Sequence, residues 1–438
     1  MTNKERSTAF NIITTLLTRF IFLFGGFIAS VLLARLLGPE GKGIVTAIFV
    51  VPLLIVSFAD MGIRQATAYY VGKGNYKLSE MISSIAFLWS ITSILGVIIV
   101  FIYFLFGSSD KYSWTILTVA LTAIPIKLIE QYAKGVMLGK NQIGTINVSQ
   151  LLRVLVNIAA ILLLVWLLDL GVFGAALVQL VIGLTVAVYY LFHICKYNRI
   201  RFKPVSPIPK LLFLKGFSFA AVLFIINLNY RIDIMILDYM VPPEDIGIYS
   251  IGTNVAELLW QLPAAVGMVL FAKSANTRIS ADAVERSTAI LRLVLPIMII
   301  TSFLIAIVAP FLIQIVYGAE FVEAGNVLRL LLPGVVAITV SKVLHPDLAG
   351  RGHPLYALRV FVLSLIINVV LNFILIPGYG INGAAFASTI SYMVAGIGYG
   401  FIYARKEKIS PKKVFILNKD DVDRVKRIIA RFASRSSI

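Results

Sequence analysis

The stretch EMISSIAFLWSITSILGVIIVFIYFLFG (80–107) carries one charged side chain, Glu80, and it stands first. The rest is apolar, small or hydroxyl-bearing. About 20 apolar residues in a row let an α-helix cross the hydrocarbon core of a bilayer. Apolar and polar residues do not alternate along the run, as they would in a strand of a transmembrane barrel. The stretch therefore reads as a transmembrane helix. Similar stretches lie at roughly 9–37, 43–71, 112–137, 145–168, 171–195, 213–240, 245–272, 287–317, 324–348, 355–376 and 380–404. Together they use most of the 438 residues and leave no room for a soluble domain. The composition agrees: 59% of residues are apolar and 14% charged, against about 45–50% and about 25% in soluble domains. The expected fold is an all-α integral membrane protein with about twelve transmembrane helices.

The net charge of +18 raises the question of nucleic acid, and its distribution answers it. With both termini inside, about 28 of the 39 Lys and Arg fall on the cytoplasmic side, much of it in 196–210, 273–286 and the tail from Arg405. The outer loops hold Arg35, Lys42 and Lys111, while the outer side carries Asp110, Asp169, Asp238, Glu244, Asp245, Glu320 and Glu323. This is the positive-inside pattern of a multi-pass protein in the cell membrane. The excess charge also attracts anionic lipid headgroups. No nucleic-acid partner is expected. No cleavable signal precedes the first span. Cys195, the lone cysteine, reads as a buried small residue at a helix end.

The chain repeats itself. GPEGKGI (38–44) is matched by PPEDIGI (242–248), LGKN (138–141) by AGRG (349–352), and GVFGAAL (171–177) by GINGAAF (380–386). The offsets are 204, 211 and 209 residues, in the same order along the chain. Parallel repeats of this kind build transporters whose substrate site lies between the halves near mid-membrane. The expected organisation is an N-terminal lobe (1–195), a basic cytoplasmic linker (196–212), a C-terminal lobe (213–404) and a basic tail (405–438). Each lobe holds six helices, and the two enclose a central cavity. Within the tail, Val422, Val425, Ile428, Ile429 and Phe432 share one helical face, as in a helix lying on a membrane surface.

A charge at the bilayer centre costs roughly 2.5–3.5 kcal/mol on insertion scales, so it normally meets a partner or a wet cavity. Arg19, Arg64, Lys127, Lys134, Arg153, Arg231, Arg329 and Lys342 lie inside the spans, with Asp60, Glu130, Asp233 and Glu257 as the acids. Asp60 and Arg64 are four apart. Lys127, Glu130 and Lys134 are spaced three and four, so they share a face and can pair locally. Matching every acid leaves four cations over. Snorkelling to the headgroups suits Arg329, Arg153 and Lys342; Lys127 and Arg231 lie nearer mid-span. A wet cavity with surplus cation suits an anionic substrate such as a phosphate or diphosphate. In NYRIDIMILDYM (229–240), helical geometry puts Asn227, Arg231 and Asp238 on one stripe, with Asn229 and Asp233 nearly opposite. One side can line a cavity while the other docks on a neighbouring helix, or both can be bonds between helices. His193, His345 and His353 are scattered. No nucleophile elbow, phosphate loop or metal-ligand spacing is present, so no catalytic residue, cofactor or metal is expected.

ARLLGPEGKGIVTAIFV (34–50) followed by FADMGIRQA (58–66) resembles the amino-terminal signature of bacterial polysaccharide flippases. These belong to the multidrug, oligosaccharidyl-lipid and polysaccharide exporter superfamily. NYRIDIMILDYMVPPEDIGIYSIG (229–252) resembles their helix 7–8 signature, apart from Asp238, where relatives often carry glycine. The resemblance implies a transporter that moves an undecaprenyl-diphosphate-linked oligosaccharide from the inner to the outer leaflet by alternating access. It implies that Arg19, Arg64 and Arg231 meet the lipid diphosphate, and Lys127 joins them by its position. Asp60, Asp233 and Glu257 are the candidates for ion coupling or inter-helix pairing. The implied partners are the lipid-linked glycan, membrane lipids, and a polysaccharide polymerase or glycosyltransferases. Two alternatives stand beside this. A cation-coupled multidrug exporter of the same superfamily should have an acid-rich cavity. A membrane glycosyltransferase or polymer ligase should carry its chemistry on a large outer loop.

Overall fold

The computed structural model describes residues 3–60, 62–107, 110–196, 202–275, 277, 280–418 and 421. Among these residues all regular structure is helical. The helices are α1 (Asn3–Ala59), α2 (Ile63–Lys73), α3 (Leu78–Gly107), α4 (Trp114–Gly139), α5 (Ile143–Ala160), α6 (Gly171–Cys195), α7 (Ile208–Asn229), α8 (Ile232–Met240), α9 (Pro243–Leu259), α10 (Gln261–Ala275), α11 (Ser280–Tyr317), α12 (Ala324–Gly350), α13 (Tyr356–Lys406) and α14 (Pro411–Phe415). A π-helical stretch, Ile161–Leu167, continues α5.

Eight of the helices are long and apolar enough to cross a membrane, or ten when each bent pair counts as one span. The bent pairs are the two parts of α7, angled by 47°, and α9 with α10, angled by 43°. The two longest helices each break once: α1 at Gly38 (φ 65°) and α13 at Gly380 (φ 53°). Divided there, the set is consistent with the twelve spans read from the sequence. The chain is a multi-pass membrane protein.

Contacts divide the chain into two compact units. The first is Met1–Ile248 with Val316–Glu320; the second is Tyr249–Ile315 with Phe321–Ile438. Thus α7 and α8 pack with the first unit, chiefly on α1 and α2, although the sequence repeat starts its second copy with them. The amphipathic face read at 422–432 and part of the 196–212 linker lie outside the described residues. Cys195 is exposed, not buried.

Local geometry echoes the repeat. Gly171 and Gly380, matched at an offset of 209, both adopt left-handed φ, 52° and 53°. An added Cβ is disfavoured in that region, and glycine has none. Three residues on, a Cβ on Gly174 would meet the carbonyl of Leu164, and one on Gly383 that of Leu375. Each copy therefore turns sharply on one glycine and packs back closely on the next.

Within the second unit, Arg329 shows how an intramembrane cation is accommodated. Pro310 has no N–H, so the carbonyl of Ala306 loses its helical partner. The Arg329 Nε donates to that carbonyl at 2.7 Å, and a terminal guanidinium nitrogen donates to Ile307 at 3.3 Å. The sequence suggests snorkelling for Arg329; in the structure its exposed guanidinium also repairs a proline break.

Candidate functional site

Span 2 is interrupted between α1 and α2, and the interruption builds the site. Gly62 holds φ 65°, and a Cβ there would collide with the backbone of Gly216 on α7, with Cα at 2.7 Å. Glycine is therefore required both for the turn and for the close approach. It provides no side-chain cap for α2. Asp60 supplies one from two residues upstream: its Oδ1 accepts from the Arg64 backbone N–H at 3.3 Å, as an N-cap acid does. Its other oxygen lies 3.9 Å from the Arg64 guanidinium. The freed carbonyl of Ala59 accepts from the buried Tyr132 hydroxyl at 3.0 Å. The break is thus held by specific bonds and turns Arg64 into a cavity.

That cavity measures about 500 Å³ and lies wholly within the first unit. Its wall includes Ser57, Asp60, Arg64 and Gln65 from span 2, and Lys127, Glu130, Gln131 and Lys134 from α4. Ser149, Gln150 and Arg153 come from α5, Tyr190 from α6, and Leu223 and Asn227 from α7. The three α4 ionic groups fall on one face because their spacing of three and four follows the helical repeat. Several polar groups in the wall are already bonded. Asn227 Nδ2 donates to Ser57 Oγ at 3.0 Å, and the hydroxyls of Ser149 and Tyr190 meet at 2.6 Å.

Ion pairing in the wall differs from the local expectation. Glu130 does not settle between Lys127 and Lys134; it pairs with Arg153 of α5. Arg153 is therefore a wall residue with a partner, not a snorkelling one. Asp60 takes Arg64. Among the described residues, Lys127 and Lys134 have no acid within ion-pair distance. The wall holds four cations against two acids, and both acids are spent on arginines. An uncompensated ammonium off water is costly, so this arrangement favours a bound anion.

The other sequence candidates lie elsewhere. Arg19 is half-buried one turn before Phe22, which lines the cavity, but is not itself in the wall. Arg231 also lies outside the wall. The chain leaves helical geometry at Arg231 (φ −130°, ψ −9°), where α7 gives way to α8. The stripe from Asn227 through Arg231 to Asp238 assumed an unbroken helix, and the structure does not contain it. Asn227 alone reaches the cavity. Asp238 is buried instead against the start of α4: its Oδ1 accepts from the Tyr112 hydroxyl at 2.6 Å, and its carbonyl accepts from Lys111. Asp233 is 1% exposed in the first turn of α8, with Oδ1 accepting from the Ile234 N–H at 2.8 Å. A buried acid there is favoured by the helix dipole. Glu257 belongs to the second unit, where it acts electrostatically on Lys342, whose Nζ stands 4.3 Å from the centre of the Trp260 ring. Lys134, Glu130 and Arg153 stand out in the sequence as charges inside spans, but only the structure makes them part of the wall. Gln150 and Tyr190 gave no signal, because only tertiary packing brings them to the wall.

The family described as polysaccharide biosynthesis protein matches residues 7–272, more than half the chain. Two relatives are similar in sequence. The "Probable low-salt glycan biosynthesis flippase Agl15" of Haloferax volcanii is 26% identical over 165 residues, 37% of this chain and 35% of that protein. The "Putative O-antigen transporter" of Shigella flexneri is 21% identical over 394 residues, 85% of this chain and 92% of that protein. Among solved structures, the lipid II flippase MurJ in an inward closed conformation matches with TM-score 0.69 at 15% identity, covering 93% of this chain and 89% of its own. An inward-facing multidrug resistance MATE transporter of the MOP superfamily matches with TM-score 0.71 at 17% identity, covering 91% and 98%. At such identities the structures speak to fold alone: an all-α, multi-span membrane fold, with which the twelve spans expected from the sequence are consistent. With the match over residues 7–272, the chain belongs to the polysaccharide biosynthesis protein family.

Proposed function

We propose that the protein is a flippase that carries an undecaprenyl-diphosphate-linked oligosaccharide from the cytoplasmic to the outer leaflet, for surface polysaccharide assembly. The observation that supports this most is the charge of the cavity wall: four cations, two acids, and two lysines left without an acid. Two linked phosphates need several cationic donors once they leave bulk water, and guanidinium forks suit phosphate oxygens. In this proposal Arg64, Lys127, Lys134 and Arg153 hold the diphosphate. Arg19 on α1 and Arg231 at the α7–α8 break, both outside the wall, meet it as the cavity changes shape. Asp60, Asp233 and Glu257 serve coupling or pairing between helices. The lobes are 1–195 and 213–404, the protein sits in the cell membrane, and both termini and the 196–212 linker are cytoplasmic. A polymerase or glycosyltransferases work beside it on the same lipid. Transport proceeds by alternating access without chemistry on the substrate.

The alternative is a cation-coupled multidrug exporter, favoured by the MATE-like fold. A base-rich wall repels cationic drugs and argues against it. One assay separates the two. Purified protein in liposomes is given a fluorescent undecaprenyl-diphosphate oligosaccharide, whose leaflet is read by an impermeant quencher, and in parallel a cationic dye. Flipping of the lipid without dye transport is expected. Dye transport without lipid flipping would overturn the proposal.

A further inference from the structure

Outside the cavity, two lysines converge on one tyrosine ring. Lys215 of α7 places its Nζ 3.2 Å from the centre of the Tyr69 ring, and Lys73 of α2 places its own at 4.7 Å. Lys215 also stands 5.3 Å from the Tyr70 ring. Tyr69 packs edge-on to Tyr70 at 5.2 Å, and Tyr70 on Tyr76 at 6.2 Å. Both lysines are exposed, and Tyr69 is 40% exposed. Among the described residues neither lysine has an acid within ion-pair distance. A single cation over a ring is worth about 0.5–1 kcal/mol at an exposed site. Two like charges on one ring also repel each other. An isolated lysine would extend into water and avoid this. The Tyr69 hydroxyl draws both ammoniums to one point from two helices, and with no acid between them an anion there would relieve the repulsion that remains.

Its position gives the arrangement a use. Gln65, Tyr69 and Lys73 are spaced by four on α2, so they form one stripe. Gln65 lines the cavity. At a rise of about 1.5 Å per residue, Tyr69 follows it by roughly 6 Å and Lys73 by roughly 12 Å. On the facing side, α7 carries Leu223 and Asn227 in the cavity wall and Lys215 eight residues before Leu223. α2 runs unbroken from the cavity to Lys73, and α7 reaches Lys215 beyond the 47° bend between its two parts.

We propose that Lys73 and Lys215, gathered on Tyr69, form a phosphate-oxyanion site at the cytoplasmic mouth of the cavity, which receives an anionic lipid headgroup before it moves inward. The inference rests on the proposed flippase function and its orientation. The phosphate belongs either to the diphosphate of the substrate or to an ordinary anionic phospholipid, and the test separates them.

The full-length protein is placed in nanodiscs of neutral lipid, and binding of farnesyl diphosphate, a short prenyl diphosphate, is followed by stopped-flow fluorescence. A second arm measures protection of Lys73 and Lys215 from an amine-reactive reagent in nanodiscs with and without phosphatidylglycerol. The variants are Lys73→Gln with Lys215→Gln, Lys73→Arg with Lys215→Arg, and Arg64→Gln with Lys127→Gln in the cavity. Loss of steering charge should slow association of the probe about tenfold at low salt, with the difference shrinking as salt rises. The arginine pair should keep the wild-type rate. The cavity pair should instead speed dissociation. Slower association in the glutamine pair assigns the site to the prenyl diphosphate. An unchanged rate, with protection that depends on phosphatidylglycerol, assigns it to bulk lipid. An unchanged rate without such protection overturns the site. If the cavity variant still weakens binding in that case, the flippase proposal stands without it. If wild-type protein fails to bind the probe at all and shows no lipid-dependent protection, both fall together.

Discussion

Replacing Lys127 and Lys134 together with glutamine should abolish headgroup binding while leaving the fold intact. Arg64 and Arg153 are matched by Asp60 and Glu130, so the two lysines account for the wall's whole surplus of positive charge. The double substitution brings the wall to neutrality and leaves no acid unpaired. A unit charge pair at 4 Å is worth about 4 kcal/mol at an effective dielectric of about 20. Both lysines are half-buried in a polar wall, so the smaller figure for a hydrogen bond to a charged group, about 1.5–3 kcal/mol, is the better guide. Two such contacts give about 3–6 kcal/mol, or a weakening of roughly 10²- to 10⁴-fold in Kd. Stability should change by less than about 1 kcal/mol, since no buried partner is orphaned. The assay is equilibrium binding of farnesyl diphosphate in nanodiscs, with the melting temperature of the same sample and the membrane level of the variant in cells. A Kd within threefold of wild type in a normally folded variant would refute the assignment of the surplus charge to substrate.

Arg153→Gln should behave in the opposite way, because it leaves Glu130 without its partner in a site where the two side chains are 22% and 13% exposed. A fully buried broken pair costs about 3–5 kcal/mol; partial exposure lowers this to roughly 1–3. The melting temperature should fall, and Glu130→Gln added to it should restore most of the loss. Arg292→Gln should release α14 and the segment after it: Arg292 is 4% exposed, donates to the carbonyl of Lys413 and grips both oxygens of Asp421 at 2.6 and 3.0 Å. Trypsin should then cut after Lys412 or Lys413 at least several-fold faster than in wild type, and an unchanged rate would discount the clamp. For topology, cysteines placed at Asp110 and Lys203 in a Cys195→Ser background should differ in intact cells. An impermeant thiol reagent should label position 110 and spare 203; the reverse pattern would invert the proposed orientation.

What the sequence revealed and what it hid follow one physical divide. The spans were legible because a bilayer demands long apolar helices, and no tertiary knowledge is needed to see them. The shared face of Lys127, Glu130 and Lys134 was legible because α4 runs without a break through it. The choice of partner was not. Spacing of three or four states which groups can reach each other, and the supply of rivals from other helices decides which do. Arg153 reaches Glu130 from α5, and no pattern within α4 announces it. Arg329 was hidden differently. Its partner is a backbone carbonyl, and the clue lay 23 residues upstream of Arg329 in the carbonyl of Ala306, four before Pro310.

The stripe through Arg231 failed for the same reason that the site exists. Helical periodicity projects side chains correctly only while the helix continues, and it stops near the cavity in two spans, at Gly62 and at Arg231. An unbroken helix satisfies all its interior backbone groups and presents only side chains. A broken one exposes a carbonyl end and an N–H end, which must be bonded by something else. Here Tyr132 takes the carbonyl of Ala59, Asp60 takes the N–H of Arg64, and Gly62 admits Gly216 at close range. Interrupted spans with glycine at the break are the feature of transporter sequences that points to the site. MGIRQ at 61–65 and NYRID at 229–233 carry that signal, a glycine in one and a polar cluster able to compete for backbone bonds in the other. Charge counting drew attention to both segments, and the break in each decides where its arginine goes. Arg64 follows a tight left-handed turn that points it into the cavity, whereas Arg231 is itself the turning residue and stays out of the wall.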